Sequence, residues 1–136
     1  MVKVIMGLKG SGKTKQLVEL VKKAVNEESG DVVCLEKSPK LTFDIPYRAR
    51  LIYANNYGFG SYEFIKGFIS GINAANYDVT HIFIDGLYKM VDDTSIEETE
   101  SFLNWLEEFG KRENIKFTLT ISADVNTATE GMRKYF

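Results

Sequence analysis

The sequence predicts an α/β protein of three layers, with a mostly parallel five-stranded sheet covered by helices on both faces. Short apolar runs alternate with stretches whose apolar residues recur at helical spacing. The helical stretches reach about 15 residues between successive strands, which is the length of a parallel crossover and not of a hairpin. Strands apolar on both faces need cover on both sides.

Each element has its own local signal. Residues 2–6 (VKVIM) read as a short buried strand. A helix follows from Lys13, with Leu17, Leu20, Val21, Ala24 and Val25 on one face, and Gly30 is the expected C-terminal stop. Residues 32–36 (VVCLE) form the next strand. Residues 37–49 carry both prolines and read as an irregular excursion, with a short edge strand expected at 41–43. Residues 50–55 (RLIYAN) are a third strand. The turn-rich NNYGFGSYEF leads into a helix at Tyr62 capped by Ser61, with Phe64, Ile65, Phe68, Ile69 and Ile72 on its apolar face. Residues 79–85 (VTHIFID) are a fourth strand. Thr94 and Glu97 suggest a capping box for a helix that buries Phe102, Leu103 and Leu106, presents its glutamates to solvent and stops at Gly110. Residues 115–122 (IKFTLTIS) are a fifth strand, and a short terminal helix follows.

The 136 residues, 44% hydrophobic, suit a single domain over 1–136 with one real core. A net charge of −2 and only four arginines, with no basic stripe, give no indication of nucleic-acid binding. Cys34 is the single cysteine and lies in an apolar run, as a buried thiol in a reducing compartment would. No stretch approaches the ~20 apolar residues of a membrane span, and the first apolar run is too short for a signal peptide. The expected location is the cytoplasm.

Residues 7–14, GLKGSGKT, satisfy G-x-x-x-x-G-K-[ST] through Gly7, Gly12, Lys13 and Thr14, with a strand before and a helix after. Glycines let backbone approach an anion closely, and a helix N-terminus adds partial positive charge. The stretch resembles the P-loop nucleoside triphosphatase superfamily. The resemblance implies a P-loop fold that binds ATP or another nucleoside triphosphate with Mg²⁺. The phosphates would lie against Gly7, Leu8, Lys9, Gly10, Ser11, Gly12, Lys13, Thr14 and Lys15. Lys13 would serve the β- and γ-phosphates and Thr14 the metal. Partition ATPases carry a signature lysine directly after the first glycine. Here that residue is Leu8, so Lys9 reads as a solvated loop residue or as an extra phosphate contact.

Asp85 ends a buried apolar strand and resembles a Walker B acid, a second metal residue; the plainer reading is a loop-capping aspartate. His81, the only histidine, reads as packed within the strand. Gly86 stands where many P-loop ATPases and the thymidine kinases place a catalytic glutamate. Glu36, ending the second strand, is the alternative: RecA-like ATPases carry their catalytic glutamate at a similar position, and a surface glutamate paired with Lys37 or Lys40 is the competing reading. Ser122 resembles the γ-phosphate sensor of the RecA-like branch, or simply finishes its strand. Arg48, Arg50 and Arg133 are surface residues or arginine fingers. The aromatics of NNYGFGSYEF are packing groups or a lid.

The guanine-specifying N-K-x-D is absent. The order of motifs resembles the RecA-like and thymidine-kinase-like side of the superfamily, without the latter's cysteine-bound zinc. It is also similar to short P-loop chains labelled as twitching-motility ATPases, although the motor family's extra domain has no room here. The expected function is a small ATP-binding protein with slow Mg²⁺-dependent hydrolysis, acting as a switch or in a homo-oligomer or with a protein partner. A non-catalytic nucleotide-binding module and a nucleoside or small-molecule kinase are the alternatives.

Overall fold

The computed structural model describes residues 1–40 and 44–136. The chain runs β1 (Val2–Gly7), α1 (Lys13–Glu27), β2 (Asp31–Glu36), β3 (Ala49–Tyr53), α2 (Tyr62–Ala75), β4 (Val79–Asp85), α3 (Ile96–Glu113), β5 (Lys116–Ser122) and α4 (Glu130–Arg133). The five strands pair in the order β1-β5-β4-β2-β3, and every pair is parallel. The edge strand expected at 41–43 lies outside the described residues.

Alternation along the strands divides the core in two. Val32, Cys34 and Phe83 point to the face covered by α1, against Leu17, Val21, Ala24 and Val25. Val33, Leu35, Ile82, Ile84, Phe117, Leu119 and Ile121 point to the opposite face, against Ile65 and Ile69 of α2 and Phe102, Leu103 and Leu106 of α3. Each of the valine, leucine, isoleucine and phenylalanine side chains contributes about 1.5–3 kcal/mol by leaving water. This burial on both faces explains why the inner strands lack a polar side. Cys34 is fully buried, and burial raises its thiol pKa well above the usual range, so it stays protonated. Among the described residues no helix is long and apolar enough to cross a membrane.

Three helix ends differ from the sequence expectation. Helix α1 ends at Glu27 and is closed by Glu28, not by Gly30. Gly30 is needed for close approach: a Cβ there would lie 2.0 Å from Thr80 Cγ2 and 2.5 Å from the Asp78 carbonyl oxygen. Helix α3 is capped by Ser95, whose hydroxyl accepts from the Glu98 amide, because Asp93 accepts the Ser95 amide at 2.9 Å and fixes it there. Gly110 lies inside α3, and the turn is made by Asn114 at φ 58°. Asparagine is among the side chains that tolerate this left-handed region. Gly110 is small because the chain returns across it, and a Cβ would meet the Ile115 carbonyl oxygen at 2.5 Å.

The α1 end holds a second device. His81 Nδ1 lies 2.7 Å from the Glu28 carboxylate, and Nε2 lies 2.9 Å from Thr118 Oγ1. A neutral imidazole satisfies both, donating to Glu28 and accepting from Thr118. Burial lowers the His81 pKa more than the neighbouring Glu28 raises it. Glu28 is raised by burial, but hydrogen bonds from His81 and Thr80 and the nearby His81 and Lys116 charges leave it below its ordinary value.

These features set two expectations. Gly110→Ala should destabilise the fold by about 1–3 kcal/mol through overpacking, despite alanine's better helix propensity. Gly67→Ala, on exposed α2 surface with nothing within 4 Å of the added Cβ, should stabilise by up to about 1 kcal/mol; urea unfolding of both variants checks the contrast. Because the folded-state pKa of His81 is depressed, the unfolded chain takes up a proton first on acidification. Stability should therefore fall as pH drops from about 7 through the ordinary histidine value of about 6.5, and further below about 4.5 as Glu28 is protonated. His81 is the only histidine, so His81→Gln should flatten the first part of the urea-midpoint profile.

Candidate functional site

Parallel register brings the carboxyl ends of the strands to one edge. Gly7 pairs with Ser122, and Glu36 pairs with both Asp85 and Tyr53. Strand β5 lies between β1 and β4, which sets Ser122 between the glycine-rich loop and Asp85. By strand alternation Gly7, Ser122, Asp85 and Glu36 all belong to the α1 face. Ligands of open α/β sheets gather at this edge.

The loop from Gly7 to α1 turns tightly. The Ser11 amide donates to the Leu8 carbonyl at 3.1 Å, and Gly10 and Gly12 take φ of 87° and 86°, where a side chain would be strained. Lys13 opens the helix, and only 7% of it is exposed. Its ammonium folds back over the loop, donating to the Leu8 carbonyl at 3.0 Å and reaching Ser11 Oγ at 3.5 Å. The start of α1 is unusual in this chain. Helices α2, α3 and α4 are capped by Ser61, Ser95 and Thr129, whereas Gly12 offers α1 no side chain. Its first turn also carries no acid. The positive end of the α1 dipole therefore meets the cavity uncompensated by the chain's own caps.

Asp85 and Thr14 meet at the same place. Thr14 Oγ1 lies 3.2 and 3.3 Å from the two Asp85 carboxylate oxygens. Thr120 donates its hydroxyl to Asp85 at 2.7 Å and accepts the Gly86 amide at 2.7 Å. Thr120 was not singled out from sequence. The signal was present in KFTLTIS, where Thr118, Thr120 and Ser122 alternate with Phe117, Leu119 and Ile121 and so share one face. Glu36 is only 4% exposed, so it is no surface carboxylate, and it accepts the Lys40 backbone amide at 3.3 Å.

The described residues around this edge enclose a cavity of about 800 Å³, within the range of small-ligand sites. Lys9, Gly10, Gly12, Lys13, Thr14, Lys15, Glu36, Asp85 and Ser122 line it. Gly7 is not among the described lining residues; it belongs to the turn itself, where a Cβ on it would meet Ser11 Oγ at 2.7 Å. Leu8 faces solvent, contributing its carbonyl to Lys13. Lys37, Lys40 and Lys89, not assigned to the site from sequence, join the lining, making six lysines against two carboxylates. That excess stands out in a chain of net charge −2 and favours an anionic ligand.

The arginines lie elsewhere. None is among the described lining residues, and the Arg133 guanidinium donates to the Val125 and Ala128 carbonyls. Phe59 packs on Phe64 and Phe68, and Tyr57 on Phe68, so these loop aromatics cover α2 and add nothing to the described lining.

Thr120→Val keeps the side-chain shape while removing a donor to Asp85 and the acceptor for the Gly86 amide. It should cost about 1–3 kcal/mol of stability, read by urea unfolding, because that amide is left buried without its partner. No protein-family model matches the chain, and no curated protein matches it, so the ligand is inferred from these residues alone.

Proposed function

We propose that this cavity binds a nucleoside triphosphate, ATP first among them, together with Mg²⁺, and hydrolyses it slowly, on a P-loop architecture of the RecA-like kind. The observation that carries the reading is the meeting of Thr14 and Asp85 beside an uncapped helix start, in a cavity lined by six lysines. A hydroxyl and a carboxylate within 3.3 Å of each other are hard oxygen donors. Two such protein ligands suit Mg²⁺, which retains waters and takes phosphate oxygens for the rest. Bound there, the ion would neutralise charge developing between the β- and γ-phosphates.

The chain's own residues supply positioning and charge. In this reading Lys9, Gly10, Gly12 and Lys15, which line the cavity, would face the phosphates, and Gly7, Leu8 and Ser11 would complete the loop that carries them. Lys13, already folded over the loop, would give up the Leu8 carbonyl for phosphate oxygens at small cost, since both partners are on hand. Glu36, buried at the edge, is the group that would orient a water and take its proton. Ser122, between loop and acid, would hydrogen-bond the terminal phosphate. A lone buried thiol suits the reducing cytoplasm expected for such a protein.

A second reading, a nucleotide-binding module without turnover that docks a partner, is favoured by Gly86. It has no side chain, so no acid directly follows Asp85 in the chain.

Calorimetric titration with ATP and GTP, with and without Mg²⁺, and hydrolysis measured across protein concentrations test the proposal. Lys13→Ala should weaken ATP binding by about 100-fold or more; an unchanged affinity overturns the reading. Glu36→Gln should leave affinity nearly unaltered and slow hydrolysis by about 100-fold. Turnover that rises with protein concentration would mark an oligomeric ATPase, and tight binding without turnover at any concentration would favour the second reading.

A further inference from the structure

We propose that Thr120 is a positioning residue that selects the metal ion: by holding one oxygen of the Asp85 carboxylate it leaves a single oxygen to the ion, and so favours Mg²⁺ over the larger Ca²⁺. The inference rests on the nucleotide reading above.

A threonine hydroxyl has one hydrogen to give and lone pairs to receive. At Thr120 the Gly86 amide, which can only donate, takes up a lone pair at 2.7 Å. The one hydrogen goes to Asp85 Oδ1, also at 2.7 Å. The two roles therefore cannot be exchanged. Thr120 is only 2% exposed, so water competes little for either bond, and a hydrogen bond away from water is electrostatically stronger.

Thr14 is held differently. It is exposed, and its Oγ1 lies at the longer distances of 3.2 and 3.3 Å from both Asp85 oxygens. Its hydroxyl accepts no hydrogen bond among the described residues, which leaves its lone pairs to a ligand. Asp85 Oδ2 meets only this hydroxyl among the described residues. One oxygen of the acid is thus committed to the sheet, and the other is shared with a side chain that can turn.

The backbone carrying the acid is fixed as well. Asp85 ends β4 in register with Glu36, and Gly86 turns the chain at φ 76° into a 3-10 helix, Leu87–Lys89, whose Leu87 is fully buried. Strand and turn set where the carboxyl group stands, and the bond to Thr120 sets its rotation. Mg²⁺ demands near-ideal octahedral geometry and keeps several waters, so one carboxylate oxygen suffices for it. Ca²⁺ takes more oxygens at longer distances and accepts both oxygens of one carboxylate. A carboxylate with one oxygen held by a buried hydroxyl suits the first ion and denies the second its extra ligand.

The test is calorimetric binding of a β,γ-imido ATP analogue at stepped Mg²⁺ and, separately, Ca²⁺ concentrations, which gives the apparent affinity of each ion for the complex. Thr120→Val should weaken Mg²⁺ by about tenfold and Ca²⁺ by less than about threefold, since partners behind a metal ligand typically govern about 10- to 100-fold in affinity. Affinity for the analogue without metal should move by less than about twofold. Thr120→Ser, which restores the hydroxyl, should return both ions to near the parent values. Thr118→Val, two residues earlier on the same face, removes a buried hydroxyl bonded to His81 and should leave both ions unaffected. Should Thr120→Val fail to fold, the smaller Thr120→Ala carries the same expectation. Unchanged Mg²⁺ affinity, an equal loss for both ions, a serine variant that behaves like the valine one, or the same shift in Thr118→Val overturns the role of Thr120 while leaving the nucleotide reading standing. Failure of the parent protein to bind the analogue overturns both.

Discussion

The Asp85 carboxylate is the junction on which the rest of the site depends. It ends the strand at the middle of the sheet, and the hydroxyls bound to it come from the first turn of α1 and from β5. Without it, nothing polar ties the start of α1 to the sheet at this edge among the described contacts. The same hydroxyl of Thr120 that steadies Asp85 also takes up the Gly86 amide, so the sharp turn after β4 and the orientation of the acid are set by one side chain. Such shared hydrogen bonds are worth more together than singly, because loss of either leaves a partner unsatisfied.

Helix α1 is tied at its other end by equivalent chemistry. Glu28 meets His81, and His81 meets Thr118, two residues before Thr120 on the same face of β5. Between the two polar ties lie apolar contacts, Leu17, Val21 and Ala24 over Cys34 and Phe83. Apolar packing sets how close the helix lies and leaves its position along its own axis loosely determined, whereas a hydrogen bond at each end fixes that position. The glycine-rich loop inherits its placement from this, since Lys13 is both the last residue of the loop's grip and the first of the helix.

Most of the fold was legible because its signals are local. Four strands followed their apolar runs to within one residue, whereas the third, expected over 50–55, spans Ala49–Tyr53 and gives way to a 3-10 turn at Ala54–Asn56; Ser61 was read as a cap because its hydroxyl needs only the amide three residues on. The two misread glycines share one cause. Gly30 and Gly110 look like helix stops, yet each is small because a distant strand end or a returning chain passes against it, and no local pattern encodes that approach. Thr94 lost the cap to Ser95 through the neighbouring Asp93, a competition between adjacent hydroxyls that composition alone does not decide. At the site, Lys13, Thr14 and Asp85 were legible from motif, and the burial of Glu36 could not be read from a strand end. Lys37, Lys40 and Lys89 were missed because surface lysines carry no pattern of their own; only the folded geometry gathers them around one cavity.

Among the described residues, strand β1 lies at the edge of the sheet, with β5 as its sole neighbour there. On its other side the Val4 amide donates to the carbonyl of Tyr135 at 2.8 Å, and Tyr135 itself is buried, its hydroxyl bonded to Asn104 of α3. The segment after α4 thus serves as a strap along an otherwise open row of backbone donors. Trimming this strap by proteolysis would leave the β1 edge free to zip onto an identical edge of another molecule, so the hazard at this end of the chain is self-association into extended sheets.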